Sequence, residues 1–161
     1  MATKRDAAAS LSAGVSMDFR AYRMEDFEAI YVLDVACFDL PYRFSRRMMR
    51  WSLEAKKALV VVAEEEGIAG FVAVHVERGG IGYVVTLDVA EAWRRKGLAG
   101  ELMARAEEQT RAAGRQAMSL HVSVLNEGAV RFYEGRSYER VERDVGFYGE
   151  GGDAWVYRKA L

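Results

Sequence analysis

Cysteine and proline are almost absent from this sequence, which contains one of each, Cys37 and Pro41. One cysteine cannot form a disulfide within the chain, and the lack of a cysteine framework is typical of proteins in a reducing compartment. We therefore expect a cytoplasmic protein. One proline in 161 residues also excludes the proline-rich composition of many disordered chains.

An excess of charge of one sign is missing as well, since 23 Lys and Arg residues stand against 24 Asp and Glu residues. This balance gives no electrostatic reason to expect binding to nucleic acid. No apolar run approaches the ~18 residues of a membrane helix, so no membrane partner is expected. His75, His121 and Cys37 lack the spacing of metal ligands, so no metal site is predicted.

The sequence does have the composition of a globular domain, with 51% hydrophobic and 29% charged residues. A chain of 161 residues is long enough to bury one core. Residues 1–16 are small and polar and lack the apolar centre of a signal peptide. We interpret them as a disordered N-terminal extension and residues 17–161 as one domain.

Hydrophobic periodicity predicts a mixture of strands and helices in this domain. Strands are expected at residues 17–22, 59–64, 68–77, 81–89, 118–122, 138–145 and 154–161, and helices at residues 24–38, 45–57, 97–113 and 127–134. The strand at 81–89 is apolar almost throughout, which predicts burial on both faces. A strand–helix–strand crossover over residues 81–122 completes an α+β order with a mixed sheet.

The most informative segment is the turn WRRKGLAG at residues 93–100, which follows a predicted buried strand and opens a helix. Backbone N–H groups at a helix start can bind a pyrophosphate if no bulky side chain blocks the approach. Gly97 and Ala99 meet that condition, and Arg94, Arg95 and Lys96 add positive charge. The alternative interpretation is an ordinary glycine-containing turn beside a solvated basic cluster.

The pattern Arg94-x-x-Gly97-x-Ala99 resembles the acetyl-CoA motif Q/R-x-x-G-x-G/A of the GNAT superfamily of N-acetyltransferases. The resemblance extends over residues 17–161. It implies the GNAT fold, in which a mixed sheet of about seven strands carries about four helices on its two faces and the two central strands splay apart.

The same resemblance implies that acetyl-CoA is the co-substrate. Its pyrophosphate is expected on the turn formed by Arg94, Arg95, Lys96, Gly97, Leu98, Ala99 and Gly100. Its pantetheine arm is expected along the end of the preceding strand, at Leu87 and Val89. Asp88 lies between these two residues, and we interpret it as a cap of the phosphate-binding turn or as a second candidate base.

A second motif, LHVSVLNEGAVRFY at residues 120–133, resembles L-[EH]-V-x-x-S-N-x-x-A-[IL]-x-x-Y of protein N-terminal acetyltransferases of the RimI type and the NatE-catalytic-subunit type. Asn126 is suited to cap a helix N-terminus, and in the family it also contacts the cofactor. Tyr133 follows about two helical turns later on the same side. The resemblance implies that Tyr133 protonates the departing thiolate; a core aromatic is the alternative.

His121 stands where RimI-type enzymes usually carry Glu as the general base. NatE-type subunits carry His there and pair it with a Tyr on the adjacent central strand. Tyr83, in the segment YVVTL, resembles that partner. The resemblance implies that the two residues accept the proton of the substrate ammonium directly or through water, and unperturbed histidine titrates near pH ~6.5. A strand histidine bonded to a carbonyl, without a catalytic part, is the alternative.

Two loops resemble the acceptor-binding walls of the same enzymes. The segment CFDLPY at residues 37–42 is similar to C-F-P-[VW]-x-Y, which implies that Phe38, Leu40 and Tyr42 surround the first side chain of the acceptor. The segment FYGEGGDA at residues 147–154 is similar to Y-Y-x-x-x-x-D-A and implies contacts from Phe147 and Tyr148. For the first loop, packing of a helix–loop–helix corner is the alternative.

The leading hypothesis from the sequence is acetyl transfer to the α-amino group of a protein or peptide N-terminus, with a ribosomal protein as one candidate acceptor. A second hypothesis is acetylation of a small amine such as a polyamine, an amino acid or an antibiotic. A third is an acyl-CoA-binding module without chemistry. The oligomeric state is left open.

Overall fold

A computed structural model describes residues 16–161, which form one seven-stranded sheet flanked by four α-helices. The strands are β1 (Asp18–Ala21), β2 (Ala58–Glu64), β3 (Ile68–Val76), β4 (Ile81–Val89), β5 (Ala117–Ser123), β6 (Glu139–Asp144) and β7 (Ala154–Ala160). The helices are α1 (Phe27–Cys37), α2 (Arg46–Glu54), α3 (Leu98–Ala112) and α4 (Glu127–Gly135). The extension predicted over residues 1–16 lies outside the described residues, apart from the exposed Ser16.

Within this part of the chain the strands follow the order β1-β2-β3-β4-β5-β7-β6. Each neighbouring pair is antiparallel except β4 and β5, which are parallel and joined through α3. This is the crossover that the sequence predicts, because parallel strands need a connection long enough to return to the same end of the sheet. The predicted α+β class and mixed sheet are confirmed.

The central strands β4 and β5 separate after a short contact. Their pairing begins at Ile81 with Ala117 and ends at Tyr83 with Ser119. The structure of residues 16–161 shows no further pair between them, although β4 continues to Val89. A gap therefore opens in the middle of the sheet, at the carboxyl ends of both strands.

The helices cover both faces of the sheet, and each face has its own core. On β3, Phe71 and Ala73 point towards α1 and α2, while Val72 and Val74 point towards α3 and α4. This is the alternation expected of a strand that is buried on both sides. Among the described helices, none is long and apolar enough to cross a membrane.

A bulge in β4 decides which of its side chains share a face. A one-residue shift of register against β3 makes Val85 an extra residue. Tyr83 and Asp88 consequently pair with His75 and Phe71 of β3, and both lie on the face covered by α1 and α2. Without the bulge, strict alternation would place Tyr83 and Asp88 on opposite faces.

The expected burial of β4 on both faces is wrong for the second half of the strand. Leu87 and Val89 are only half-buried. The reason is the separation of β5, which removes the neighbour that would cover this side of β4.

Candidate active site

The turn between β4 and α3 holds its backbone in a left-handed conformation at two residues. The φ angle is 59° at Arg95 and 82° at Gly97, which precedes the first residue of α3. Glycine adopts such angles without the steric cost of a Cβ. Among the described residues, the amides of Arg95, Lys96 and Gly97 have no hydrogen-bond partner in another part of the chain. They add to the free N–H groups at the start of α3.

The charged side chains of this turn lie on the surface. Arg94, Arg95 and Lys96 are exposed. The Nε of Arg94 donates to the carbonyl oxygen of Val89 at 3.2 Å, which ties the turn to the end of β4. The predicted cationic environment around free backbone donors is therefore present.

The start of α3 is closely packed on its inner side. Leu98 is 1% exposed and packs in the core, while Ala99 and Gly100 are half-buried. A Cβ at Gly100 would lie 3.0 Å from Nη1 of Arg136, so this guanidinium stands beside the first turn of the helix. The Nε of Arg136 is buried without a partner in the described part of the chain. No sequence motif pointed to Arg136.

Asp88 belongs to a buried carboxyl pair rather than to the phosphate-binding turn. It is 1% exposed, its Oδ1 accepts a hydrogen bond from Thr86 Oγ1 at 2.6 Å, and its Oδ2 has no hydrogen-bond partner among the described residues; the buried carboxyl of Asp34 on α1 is its charged neighbour. Burial, and then the charge of Asp34, raises the pKa of Asp88 well above its ordinary value. The expected capping of the turn by this side chain is therefore corrected; any contact with acetyl-CoA is left to its backbone.

The carboxyl pair also contacts the loop that is predicted to bind the acceptor. The backbone N–H of Phe44, just before α2, donates to Asp34 Oδ2 at 2.8 Å. Near the same end of β4, Cys37 Sγ lies 3.5 Å from the carbonyl oxygen of Val89. The Cys37 contact thus links the end of α1 to the strand that borders the gap, and the Phe44 hydrogen bond links the following loop to α1.

Tyr83 and His121 are in direct contact, as the sequence comparison predicts. Tyr83 Oη lies 2.7 Å from His121 Nδ1. The other ring nitrogen, Nε2, lies 2.9 Å from Oδ2 of Asp144, a residue that the sequence did not identify. His121 and Asp144 are opposite Val156 and Ala154 of β7, which are two residues apart and so share a face. The three polar side chains therefore form a row across the sheet.

An aromatic cluster covers this row. The ring of Phe147 is stacked on the imidazole of His121, with centroids 3.8 Å apart and planes 6° apart. Tyr148 contacts Phe147 edge-on at 4.9 Å, and Tyr42 contacts Tyr148 edge-on at the same distance. The two loops expected to bind the acceptor therefore meet each other beside His121.

The other predicted acceptor residues lie on the same loop as Tyr42. Phe38 is half-buried directly after α1, and Leu40 is 71% exposed. An exposed leucine beside an aromatic cluster provides apolar surface at the entrance of the site.

Tyr133 lies in the core on the opposite face of the sheet. It is 8% exposed and contacts the rings of Phe132 and Tyr138 edge-on. Its hydroxyl makes no hydrogen bond with the described residues, and burial is the main cause that raises its pKa. Asn126 caps α4 as predicted, because its Oδ1 accepts the N–H of Ala129 at 3.1 Å. Both interpretations of Tyr133, acid and core aromatic, fit this position.

No group of three or more His, Cys, Asp or Glu residues in the described structure is placed to hold a metal ion. His75, which lacked a functional context in the sequence, is fully buried. Its Nε2 lies 3.0 Å from the carbonyl oxygen of Ser52 on α2.

Comparison with known proteins agrees with this architecture. The family model of the acetyltransferase (GNAT) family matches residues 20–138. The chain belongs to the GNAT family and is an N-acetyltransferase that uses acetyl-CoA as its co-substrate.

Two curated relatives resemble the chain over most of its length. It is 28% identical over 155 residues to the N-alpha-acetyltransferase daf-31 of Caenorhabditis elegans, covering 90% of this chain and 83% of the relative. It is 25% identical over 162 residues to an N-alpha-acetyltransferase of Saccharolobus solfataricus, covering 92% and 95%. Among solved structures, the ribosomal-protein-S18-alanine N-acetyltransferase of Escherichia coli superposes with a TM-score of 0.80 at 16% identity, covering 91% of this chain and 94% of that one, which shows the shared fold.

Proposed function

We propose that this protein transfers the acetyl group of acetyl-CoA to the α-amino group of a protein or peptide N-terminus. The observation that carries the proposal is the meeting of two aromatic loops beside His121, with Tyr42 and Tyr148 in edge-on contact at 4.9 Å. Such rings offer apolar surface for a first side chain and hydroxyls for backbone groups. The two relatives named as N-alpha-acetyltransferases support the same acceptor class.

In this proposal Tyr83 and His121 act as the base. A peptide α-amine arrives largely as ammonium, and the nitrogen can attack the thioester only after it has lost a proton. The hydrogen bond of 2.7 Å between Tyr83 Oη and His121 Nδ1 provides a path for that proton. The neutral amine then forms the new C–N bond to the acetyl carbon.

Tyr133 acts as the acid in the second half of the reaction. When the C–S bond breaks, the thiolate of CoA takes the proton of the Tyr133 hydroxyl, and the phenolate regains a proton as the nitrogen of the new amide loses its second one. Burial raises the pKa of this hydroxyl, so it is protonated over the physiological range, and its proton moves only as charge develops on the departing sulfur. The absence of a competing hydrogen bond from the described residues leaves its proton available.

The turn before α3 would hold the diphosphate of acetyl-CoA through its backbone, and the end of β4 would border the pantetheine arm. The main-chain donors lie at the positive end of the α3 dipole, where an anion is stabilised. The residues proposed for this contact are Leu87, Asp88, Val89, Arg94, Arg95, Lys96, Gly97, Leu98, Ala99, Gly100 and Asn126.

The proposal is tested by incubating the protein with acetyl-CoA and a library of peptides that differ in their first residue, including N-termini of ribosomal proteins. Release of thiol and a mass shift on the α-amine are expected, with a defined preference for the first residue. Peptides with a formylated N-terminus and a free lysine serve as the matched control and should stay unmodified.

Two other outcomes would overturn the proposal. Turnover of polyamines, amino acids or antibiotics without turnover of peptides would favour acetylation of a small amine. Tight binding of acetyl-CoA without thiol release on any amine would favour a module without chemistry. The cytoplasmic location expected from cysteine usage remains a separate prediction, which fractionation of the source cells would test.

A further inference from the structure

Asp144 contacts His121, but the roles proposed above for Tyr83 and His121 assign no function to it. It is the last residue of β6, and its side chain remains 43% exposed while that of His121 is 16% exposed. Val141 is an extra residue in β6 where the register shifts against β7, and after this bulge Asp144 lies opposite Ala154. The small, fully buried Ala154 stands in the strand between His121 and Asp144 and leaves room for their contact.

The hydrogen bonds at His121 define which nitrogen carries the proton in the neutral ring. An ionised carboxylate can only accept hydrogen bonds, so Asp144 requires a proton on Nε2. Nδ1 is then an acceptor, and the hydroxyl of Tyr83 donates to it. Both nitrogens are thus engaged and Phe147 covers one face of the ring, so the imidazole has no free atom to offer an arriving amine.

We propose that Asp144 is a positioning residue, which holds His121 as the Nε2–H tautomer so that Tyr83 Oη can accept a proton from the substrate ammonium while it passes its own proton to Nδ1. The inference rests on the proposed function, because it needs His121 and Tyr83 to form the base. It differs in naming the phenolic oxygen as the atom that meets the amine and Asp144 as the partner that makes the transfer possible.

The proton balance is complete without a further reactant. One N–H bond of the ammonium breaks as one O–H bond forms at Tyr83, and the original Tyr83 O–H breaks as an N–H bond forms at Nδ1. The product is a neutral amine and an imidazolium ion between the Asp144 carboxylate and the ring of Phe147, both of which stabilise a cation.

The transfer has to be concerted because a free phenolate at Tyr83 is unfavourable. Burial, followed by the nearby Tyr148 and the charge of Asp144, raises the pKa of the Tyr83 hydroxyl above its ordinary value. Tyr83 can therefore give up its proton only as it gains another. A histidine with Nδ1 unprotonated and aimed at Oη is the arrangement that allows this exchange.

The test combines steady-state kinetics with nitrogen-15 NMR of the His121 ring, which reports its tautomer. In Asp144→Asn the side-chain amide can donate to Nε2, which favours the opposite tautomer and places a proton between Nδ1 and Tyr83. We expect kcat to fall by at least ~10²-fold, with the KM values for acetyl-CoA and peptide within about threefold of the parent. Asp144→Glu restores a carboxylate acceptor at a partly exposed site and should recover part of kcat.

The sequence has two histidines, so nitrogen-15 NMR resolves the tautomers with His75 as an internal reference. We expect an Nε2–H ring for His121 in the parent and loss of that signature in Asp144→Asn, with His75 unchanged. Glu142→Gln removes a carboxylate from an exposed side chain of the same strand and is the matched control, expected to retain both kcat and tautomer.

Failure of the proposed base and failure of the role of Asp144 give different results. If His121→Ala retains the parent rate with the preferred peptide, the assignment of the base is wrong and the inference falls with it. If His121→Ala is slow but Asp144→Asn matches Glu142→Gln in kcat and in the His121 tautomer, the role of Asp144 is overturned while the proposed function stands.

Discussion

The side chains of His121 and Tyr133 lie on opposite faces of the central sheet. His121 follows Leu120 on β5, whose side chain points into the core beneath α3 and α4, whereas Tyr133 is itself part of that core. His121 therefore faces the side of α1 and α2. Between the two residues lies the gap at which β4 and β5 separate. The proposed base and the proposed acid can therefore act on one reacting centre only through this gap.

Replacement of Tyr133 by Phe tests the acid. We expect kcat to fall by at least ~10²-fold because the thiolate loses its proton donor. The free energy of unfolding should change little, since the Tyr133 hydroxyl makes no hydrogen bond with the described residues. Tyr138→Phe is the control: it loses the 3.0 Å hydrogen bond to Glu107, which costs ~1–3 kcal/mol of stability, yet it should retain kcat. Equal kcat values for the two variants would contradict the assignment.

Replacement of Gly97 by Val tests the phosphate-binding turn. The φ angle of 82° is unfavourable for a β-branched residue, and a side chain here would narrow the approach to the free amides. We expect acetyl-CoA affinity, measured by calorimetry, to fall by at least about tenfold. Gly79→Val carries a comparable backbone cost, since Gly79 has a φ of 77° and open space around its Cβ position. If both variants bind acetyl-CoA equally, backbone donors around Gly97 do not hold the diphosphate.

The Asp34–Asp88 pair predicts a pH dependence of stability. The pKa of Asp88 is raised in the folded state, chiefly by burial, so the folded protein binds more protons than the unfolded chain above pH ~3.9. The contribution of this pair to the free energy of unfolding therefore falls as pH rises from ~3.9 through the folded pKa and levels off above it. Asp88→Asn keeps an acceptor for Thr86 and supplies an N–H towards Asp34. In this variant the free energy of unfolding, measured by urea titration, should therefore decrease less with rising pH.

Replacement of Asp34 provides a comparison with the replacement of Asp88. Asp34→Ala also removes one carboxyl of the pair, but it deprives the Phe44 N–H of its acceptor at 2.8 Å. It should cost ~1–3 kcal/mol at every pH, whereas Asp88→Asn should cost less in the neutral range. An unchanged slope for Asp88→Asn would show that the two carboxyls do not share a proton.

Replacement of Tyr148 by Ala tests the acceptor wall. The KM for the preferred peptide should rise by about tenfold, because an aromatic contact of ~1.4 kcal/mol is lost, and the KM for acetyl-CoA should stay constant. Val145→Ala truncates an apolar side chain that is 77% exposed in the same hairpin connection and should change neither constant. A peptide KM that is the same in both variants would remove this loop from the acceptor site.

Features with a local signal could be predicted from the sequence. A glycine at the start of a helix after a buried strand indicates a turn with free N–H groups, and Gly97 has the expected left-handed φ. Asn126 caps α4 as predicted because a cap depends on the next three residues alone. The proximity of Tyr83 and His121 came from the resemblance to known enzymes, and the structure places their polar atoms 2.7 Å apart.

Features that depend on strand register could not be predicted. Asp144 reaches His121 because β6 and β7 pair in one particular register that includes an extra residue at Val141. A slip of one residue would move the carboxylate to the other face. The pairing of Asp34 with Asp88 likewise depends on the bulge at Val85, and no spacing in the sequence marks either bulge.

Because β4 separates from β5, the second half of β4 has an unpaired edge inside the sheet. Its peptide groups face β5 across the gap. Exposed strand edges can pair with a second polypeptide, which is a route to aggregation. Here helices cover both sides of the sheet and the opening is bounded by two strands that still touch at Tyr83 and Ser119. A molecule that enters this gap therefore has to be slender and extended, because the sheet on either side of it is covered by helices.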